Sequence, residues 1–442
     1  MSRFYWTAFL GLAAQLRGAL SYPTNILEGE LVTRDDSDFI FAALGDSWAS
    51  GVTWAPWTDY DGNKDGCLRY KYAWSTVVEG KGSDWLPNGK KAKLEFVACS
   101  GSRAENVMQQ MDKTTRPKVT LMEIGGNNAD FYPMADSCLF HSDKDKDYGT
   151  HFEDDNPDNP TGECRREINL VKGRVKSNDI KNKIVDVING WRAHPANAGN
   201  DASLYLHGYP WFFADNKECD DWTFSVFYVN DTQKSKVVQG MRTEFNSLID
   251  EMNRNIREAT EVFQDSKIQY IDINPAFNNH RFCEPGSTKQ DQFNWGDAVH
   301  IWNSPGKWWI TIKKGNDEKM YDMLAENAEM PPWDEVEKMM NHPDGDVIQV
   351  ADVISQKYRD PDDPNHSMMW GGSLNDFKAL GGNSGGGSVS RTLHPTQSGH
   401  EAMGIAIVER LKRDFGSGPT PQPWGPGNCP ADCDCSSGTP AC

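Results

Sequence analysis

Five short apolar runs, each halted by a turn rich in glycine, serine or asparagine, constrain this chain more than any other feature of its sequence. Phe39 to Leu44 stops at Gly45-Asp46-Ser47, Leu94 to Ala98 at Cys99-Ser100-Gly101, and Val119 to Ile124 at Gly125-Gly126-Asn127-Asn128. Ser203 to His207 and Ile268 to Ile273 have the same form. Runs this short, bounded by turn residues, read as buried strands. Helical patterns separate them. Arg103 to Met111 is a polar helix-like stretch, and Phe245, Leu248, Ile249, Met252 and Ile256 recur along one helix face. Met403, Ile405, Ile407, Val408 and Leu411 predict a closing helix, opened by Ser398 with Glu401 three residues on as a capping box. Strands alternating with helices predict a three-layer α/β/α sandwich, flavodoxin-like, with a mostly parallel central sheet. Functional groups of such sheets gather at the C-terminal ends of the strands. Ser47, Gly101 and Asn127 fall there.

Residues 36–415 make up this predicted domain. Ser137 to Glu163 is acidic and rich in Pro and Asn, and Asn303 to Val389 is rich in Trp, Met and Asp; both read as large loops or insertions. The start of the chain reads as an address: Arg3, an apolar stretch from Phe4 to Leu16, and Ala19-Leu20-Ser21 predict a signal peptide over residues 1–21. That stretch is too short to span a bilayer, and no later segment looks transmembrane. At the other end, residues 416–428 read as a Pro/Gly linker and 429–442 as a tail carrying Cys429, Cys433, Cys435 and Cys442.

Cys67, Cys99, Cys138, Cys164, Cys219 and Cys283 lack the short spacing of a zinc knuckle, so they are expected to form disulfides in an oxidising, extracellular compartment. Their connectivity is not fixed by sequence; pairing of neighbours along the chain is one option. The sequons at Asn230 and Asn365 agree with a secretory route. With 38% hydrophobic and 25% charged residues the chain has the composition of a globular protein. Its net charge of -19 repels phosphate backbones and anionic membranes, and no basic stripe offsets it, which argues against nucleic acid as a partner. Oligomeric state is left open.

Acyl transfer by a serine needs an exposed hydroxyl, an imidazole to take its proton, and donors aimed at the developing oxyanion. Ser47 follows a strand at a glycine-containing turn. Gly101 lets a backbone N–H approach a substrate closely, Asn127 offers a side-chain amide, and His394 lies just before the closing helix, where a loop can bring its ring over Ser47. Each residue alone has a bland reading: Ser47 as a helix-capping turn serine, Asn127 and Gly101 as turn residues, His394 as a structural histidine. Asp46 is expected to hold the turn, and His400 to sit on a helix face.

In its blocks and their order the chain resembles the GDSL/SGNH hydrolases. Gly45-Asp46-Ser47 resembles the first block, Gly101 the second-block glycine, Gly125-Gly126-Asn127-Asn128 the third, and His394-Pro395 the fifth. The resemblance covers roughly residues 38 to 415 and is nearest to the secreted group similar to the Streptomyces scabies esterase, with Cys67 and Cys99 near the first two blocks. It implies an ester hydrolase with Ser47 as nucleophile, His394 as base, and an oxyanion hole from the Ser47 and Gly101 N–H groups and the Asn127 amide. No metal or organic cofactor is implied, and the partner is an ester substrate, lipid or acylated carbohydrate.

Two departures stand out. Many relatives carry Asp three residues before the histidine, where this chain has Arg391, whose side chain cannot accept an imidazole N–H. The esterase group that it resembles uses a main-chain carbonyl instead, which points to the Arg391 carbonyl, with Asp376 or another loop acid as a substitute. Asn128 stands where Asp is common, and this is expected to alter local hydrogen bonding more than chemistry. The rival reading is a secreted binding or effector protein on the same scaffold with little catalysis. Two further patterns carry alternatives. Asp61 to Gly66 matches the opening of a calcium loop but has Tyr72 in place of its glutamate. Trp302, Trp308, Trp309 and Trp333 suit either buried packing or an aromatic platform.

Overall fold

The computed structural model describes residues 38–52, 59–62, 64–87, 90–141, 147–224, 235–303, 309–322, 329–341, 353–373 and 392–416. The expected signal peptide and cysteine-rich tail, Asn230, Trp308, Asp376 and Arg391 lie outside them.

All five predicted strands form: β1 (Asp38–Gly45), β2 (Lys91–Phe96), β3 (Val119–Glu123), β4 (Ser203–His207) and β5 (Ile268–Ile271). They make one parallel sheet in the order β2-β1-β3-β4-β5. All of β3 is buried, which is why its sequence is apolar without alternation. Register shows how the sheet is covered. Phe41 pairs with Val119 and Ala42 with Thr120, so Phe41 and Thr120 point to opposite faces. Phe41 meets Trp85 edge-on, on a helical layer made of α2 (Trp74–Gly80), α3 (Gly82–Trp85) and α11 (Gln397–Phe415). Thr120 receives the indole N–H of Trp191 from the other layer, which holds α4 (Val107–Met111), α7 (Glu163–Lys176), α8 (Asp179–Ala193) and α9 (Gln239–Glu261). This is the expected α/β/α arrangement. The chain leaves β1 toward β2 and returns on its other side as β3, so the switch point of the topology lies between the ends of β1 and β3.

The long α9 carries the predicted apolar face, with Phe245, Leu248, Ile249, Met252 and Ile256 all buried. The stretch after Arg103 is a 3-10 turn, Ala104–Asn106, leading into the short α4. The capping expectation for α11 is corrected: Thr396, not Ser398, is the N-cap, and its side chain accepts from the Gly399 N–H at 3.2 Å. Thr396 keeps extended backbone angles, and the helix is already running at Gln397, so Ser398 lies inside its first turn.

Disulfides join Cys67 to Cys99, Cys138 to Cys164, and Cys219 to Cys283, which is pairing of neighbours along the chain. The Asn303 to Val389 stretch is more than a loop. It holds a second, antiparallel sheet of β6 (Trp309–Lys314), β7 (Asp317–Asp322), β8 (Val353–Arg359) and β9 (His366–Ser373), in the order β7-β6-β9-β8, with α10 (Trp333–Asn341). Ile310, Ile312, Val336, Tyr358 and Met368 give it a small core of its own. Trp333 packs there between Phe293 and Trp295, which favours the packing reading of that tryptophan. Asn365 lies exposed ahead of β9. The calcium-like stretch is answered internally: Arg69 pairs with Asp61 at 2.5 Å and Asp65 at 2.8 Å.

Candidate active site

Ser47 stands where β1 ends, and the turn is built around it. Gly45 has φ +138°, and a side-chain carbon there would lie 2.0 Å from the Glu123 carbonyl oxygen, so only glycine fits. Asp46 caps the one-turn helix α1 (Ser47–Ser50), its Oδ1 accepting from the Trp48 N–H at 3.0 Å. Ser47 is the first residue of that helix and is half-buried.

The residue brought against it is His394, 347 positions away: Nε2 lies 2.6 Å from Ser47 Oγ. The imidazole is oriented from its far side, with Nδ1 3.1 Å from the Thr392 carbonyl. A carbonyl only accepts, so Nδ1 carries the proton there and Nε2 is left to accept from the serine. Thr392 thus offers a main-chain carbonyl to the imidazole, while Arg391, where one was expected, lies outside the described residues. The loop is pinned by a short pairing with residues 300–302: Leu393 N–H to Trp302 O at 2.8 Å, Trp302 N–H to His394 O at 2.8 Å, and Thr396 N–H to His300 O at 2.9 Å.

At the end of β3, Gly125 takes φ +120° and starts α5 (Gly126–Ala129), which carries Asn127. One N–H of the Asn127 amide donates to the Ser102 carbonyl at 2.9 Å. Gly101, next to Ser102, has φ +81° and open space where a side chain would begin. Ser47, Asn127 and His394 line one cleft; Gly101 is not among its lining residues and sits exposed beside it. Asn128 turns away from the cleft, accepting from the Ala104 N–H and donating to Glu105 Oε2, which fits the expected local role. His400 is fully buried, and burial pushes its pKa down to about 3, in keeping with a neutral helix-face histidine.

Behind the serine lies a group that the sequence reading missed. Asp46 is sealed from solvent, and burial pushes its pKa up to about 6. Glu123, fully buried on the neighbouring strand, is pushed well above the usual carboxyl range by burial and then by the Asp46 charge, so it is held as the neutral acid. The Tyr209 hydroxyl reaches Asp46 Oδ2 at 3.3 Å and receives the Gly126 N–H at 2.9 Å. Only Asp46 carried a signal in sequence, as the residue before the serine.

The cleft is walled by Phe131, Tyr132, Phe140, Phe212, Ile249 and Met252. Among its lining residues Asp46 is the sole acid and no Lys or Arg occurs. Among the described residues no cluster of three His, Cys, Asp or Glu side chains is placed to hold a metal ion, and no helix is long and apolar enough to cross a membrane.

No family model and no curated protein matches the chain. Among solved structures it is similar to an extracellular lipase from Streptomyces rimosus, at 19% identity over 56% of this chain and 85% of that one, with a TM-score of 0.40. It is also similar to phospholipase A1 from Streptomyces albidoflavus, at 23% identity over 60% and 93%, with a TM-score of 0.42. A carbohydrate acetylesterase from Sinorhizobium meliloti is similar at 10% identity over 60% and 91%, with a TM-score of 0.29.

Proposed function

We propose that the chain is a secreted serine ester hydrolase of the SGNH type, acting on carboxylic esters with an apolar acyl group. The observation that carries this reading is the 2.6 Å contact between Ser47 Oγ and His394 Nε2 at the wall of an apolar cleft. As the ester carbonyl is attacked by Oγ, His394 takes the hydroxyl proton on Nε2, and the Thr392 carbonyl holds the imidazole while it becomes charged. The N–H groups of Ser47 and Gly101 and the Asn127 amide take the developing oxyanion. His394 then hands its proton to the leaving alcohol oxygen, leaving an acyl-Ser47. Water, deprotonated by the same imidazole, releases the acid and restores the serine.

The acyl preference rests on the cleft walls, since burying hydrocarbon there is worth roughly 25 cal/mol per Å² and no basic side chain lines it to hold an anionic acid. Secretion rests on three disulfides, which persist in oxidising compartments.

A fluorophosphonate probe followed by peptide mapping tests the reading. Labelling of Ser47, lost in Ser47→Ala and slowed by at least about 10³-fold in His394→Ala, is expected. A well-folded protein that neither labels nor turns over aryl esters would leave the scaffold as a binding protein.

A further inference from the structure

The two turns that carry the proposed nucleophile and the proposed oxyanion donor stand at the ends of neighbouring strands, and one side chain joins them. Asp46, which caps the helix begun by Ser47, accepts from the Tyr209 hydroxyl at 3.3 Å. The same hydroxyl accepts the N–H of Gly126, the residue before Asn127, at 2.9 Å. Gly126 opens the one-turn α5, so its amide has no partner within that helix, and the tyrosine oxygen supplies one. Tyr209 is itself gripped from α9, where the Asn253 amide takes its N–H and donates to its carbonyl, both at 2.8 Å. Its ring meets Trp48 edge-on at 5.5 Å between centroids and lines the cleft. Burial and the adjacent acids keep the hydroxyl protonated, so it remains a donor to Asp46.

We propose that Tyr209 is a positioning residue that fixes the Ser47 turn against the Asn127 turn, so that hydroxyl and amide converge on the same reacting carbonyl. The proposal rests on the esterase reading above. Productive convergence requires placement to within about 0.5 Å, and each turn alone is only a single helical turn, too short to hold its own direction. The hydroxyl bridge ties both to the rigid α9. Replacing Tyr209 by Phe keeps the ring that packs on Trp48 and removes only the bridging oxygen.

The test is steady-state hydrolysis of aryl esters by the full chain, with Tyr209→Phe beside Tyr205→Phe. Tyr205 is an equally buried tyrosine on β4 whose hydroxyl bonds Asp414 at 2.7 Å, away from the cleft. Tyr209→Phe is expected to lower kcat on the order of 10- to 100-fold with KM nearly unchanged, whereas Tyr205→Phe leaves both unchanged. Slower fluorophosphonate labelling of Ser47 in Tyr209→Phe should match the fall in kcat. An active wild type with unchanged kcat in a folded Tyr209→Phe overturns the positioning role alone. An equal fall in kcat in both variants reduces Tyr209 to general stability and also overturns it. A wild type inert to probe and ester removes the esterase reading and this inference with it.

Discussion

Replacing Glu123 with Gln should stabilise the protein, and by more as the pH rises. The carboxyl is fully buried, and its pKa lies well above the usual 4.5. A carboxyl whose pKa is higher in the folded chain than in the unfolded one contributes its stability below the unfolded value and loses it as pH climbs toward the folded value. Above pH 4.5 the unfolded chain releases this proton while the fold retains it, at about 1.4 kcal/mol per pH unit. The loss grows with pH for as long as the folded carboxyl keeps its proton. Gln fills nearly the same volume and has no proton to release, so its stability lacks this slope. Asp46, itself pushed up to about 6 by burial, slopes in the same direction in the wild type. Urea unfolding of wild type and Glu123→Gln at pH 5 and pH 7 reads the effect. The stability gap should widen in favour of the variant between the two pH values, with a slope approaching about 1.4 kcal/mol per pH unit while the folded carboxyl stays protonated. A gap that stays constant or shrinks would mean that Glu123 is ionised in the fold, and the account of a neutral acid beside Asp46 would be wrong.

Two other outcomes follow from the turns around the serine. Cys67→Ala with Cys99→Ala opens a link between residues 32 apart that also sets the Ser100 N–H on the Cys67 carbonyl next to Gly101; loop-closure entropy gives a loss of about 4 kcal/mol, read in denaturant, with reduced ester turnover. Gly125→Ala sets a new carbon 2.3 Å from Met252 Cε at φ +120°, and trimming Met252 to Ala should restore only the steric part, leaving a backbone cost of about 1–3 kcal/mol. Full restoration of the melting temperature in that double variant would place the whole cost in the methionine contact.

How much of this was legible in the sequence depends on whether the cause was local. The strands could be read because each is a buried apolar run ended by a residue with a backbone reason to be there, as at Gly45 and Gly125. Ser47 and Asn127 could be singled out because strand ends gather them, and His394 because it stands just before the closing helix; the structure brings all three to one cleft. Gly101 came only beside it. Arg391, the expected source of the orienting carbonyl, lies outside the described residues; the Thr392 carbonyl, which carried no signal because every residue has one, stands 3.1 Å from His394 Nδ1. Tyr209 and Glu123 gave no signal: a tyrosine after one strand and an acid inside another acquire their role through partners 163 positions apart in sequence, Tyr209 and Asp46, and across strands. The second sheet was legible and was passed over. Gly315-Asn316 between β6 and β7 is a two-residue hairpin turn, with Gly315 at φ +63°.

The pairing of residues 300–302 with 393–396 also decides what kind of attachment the second sheet has. The chain departs at Asn303 and comes back at Thr392 between two segments already hydrogen-bonded to each other, so the excursion begins and ends at one doorway. Among the described residues, the backbone hydrogen bonds that hold the histidine loop come from that doorway. Because closing a longer loop costs only about 0.6 kcal/mol per doubling of its length, the length of the excursion adds little to the cost of bringing the imidazole to the serine.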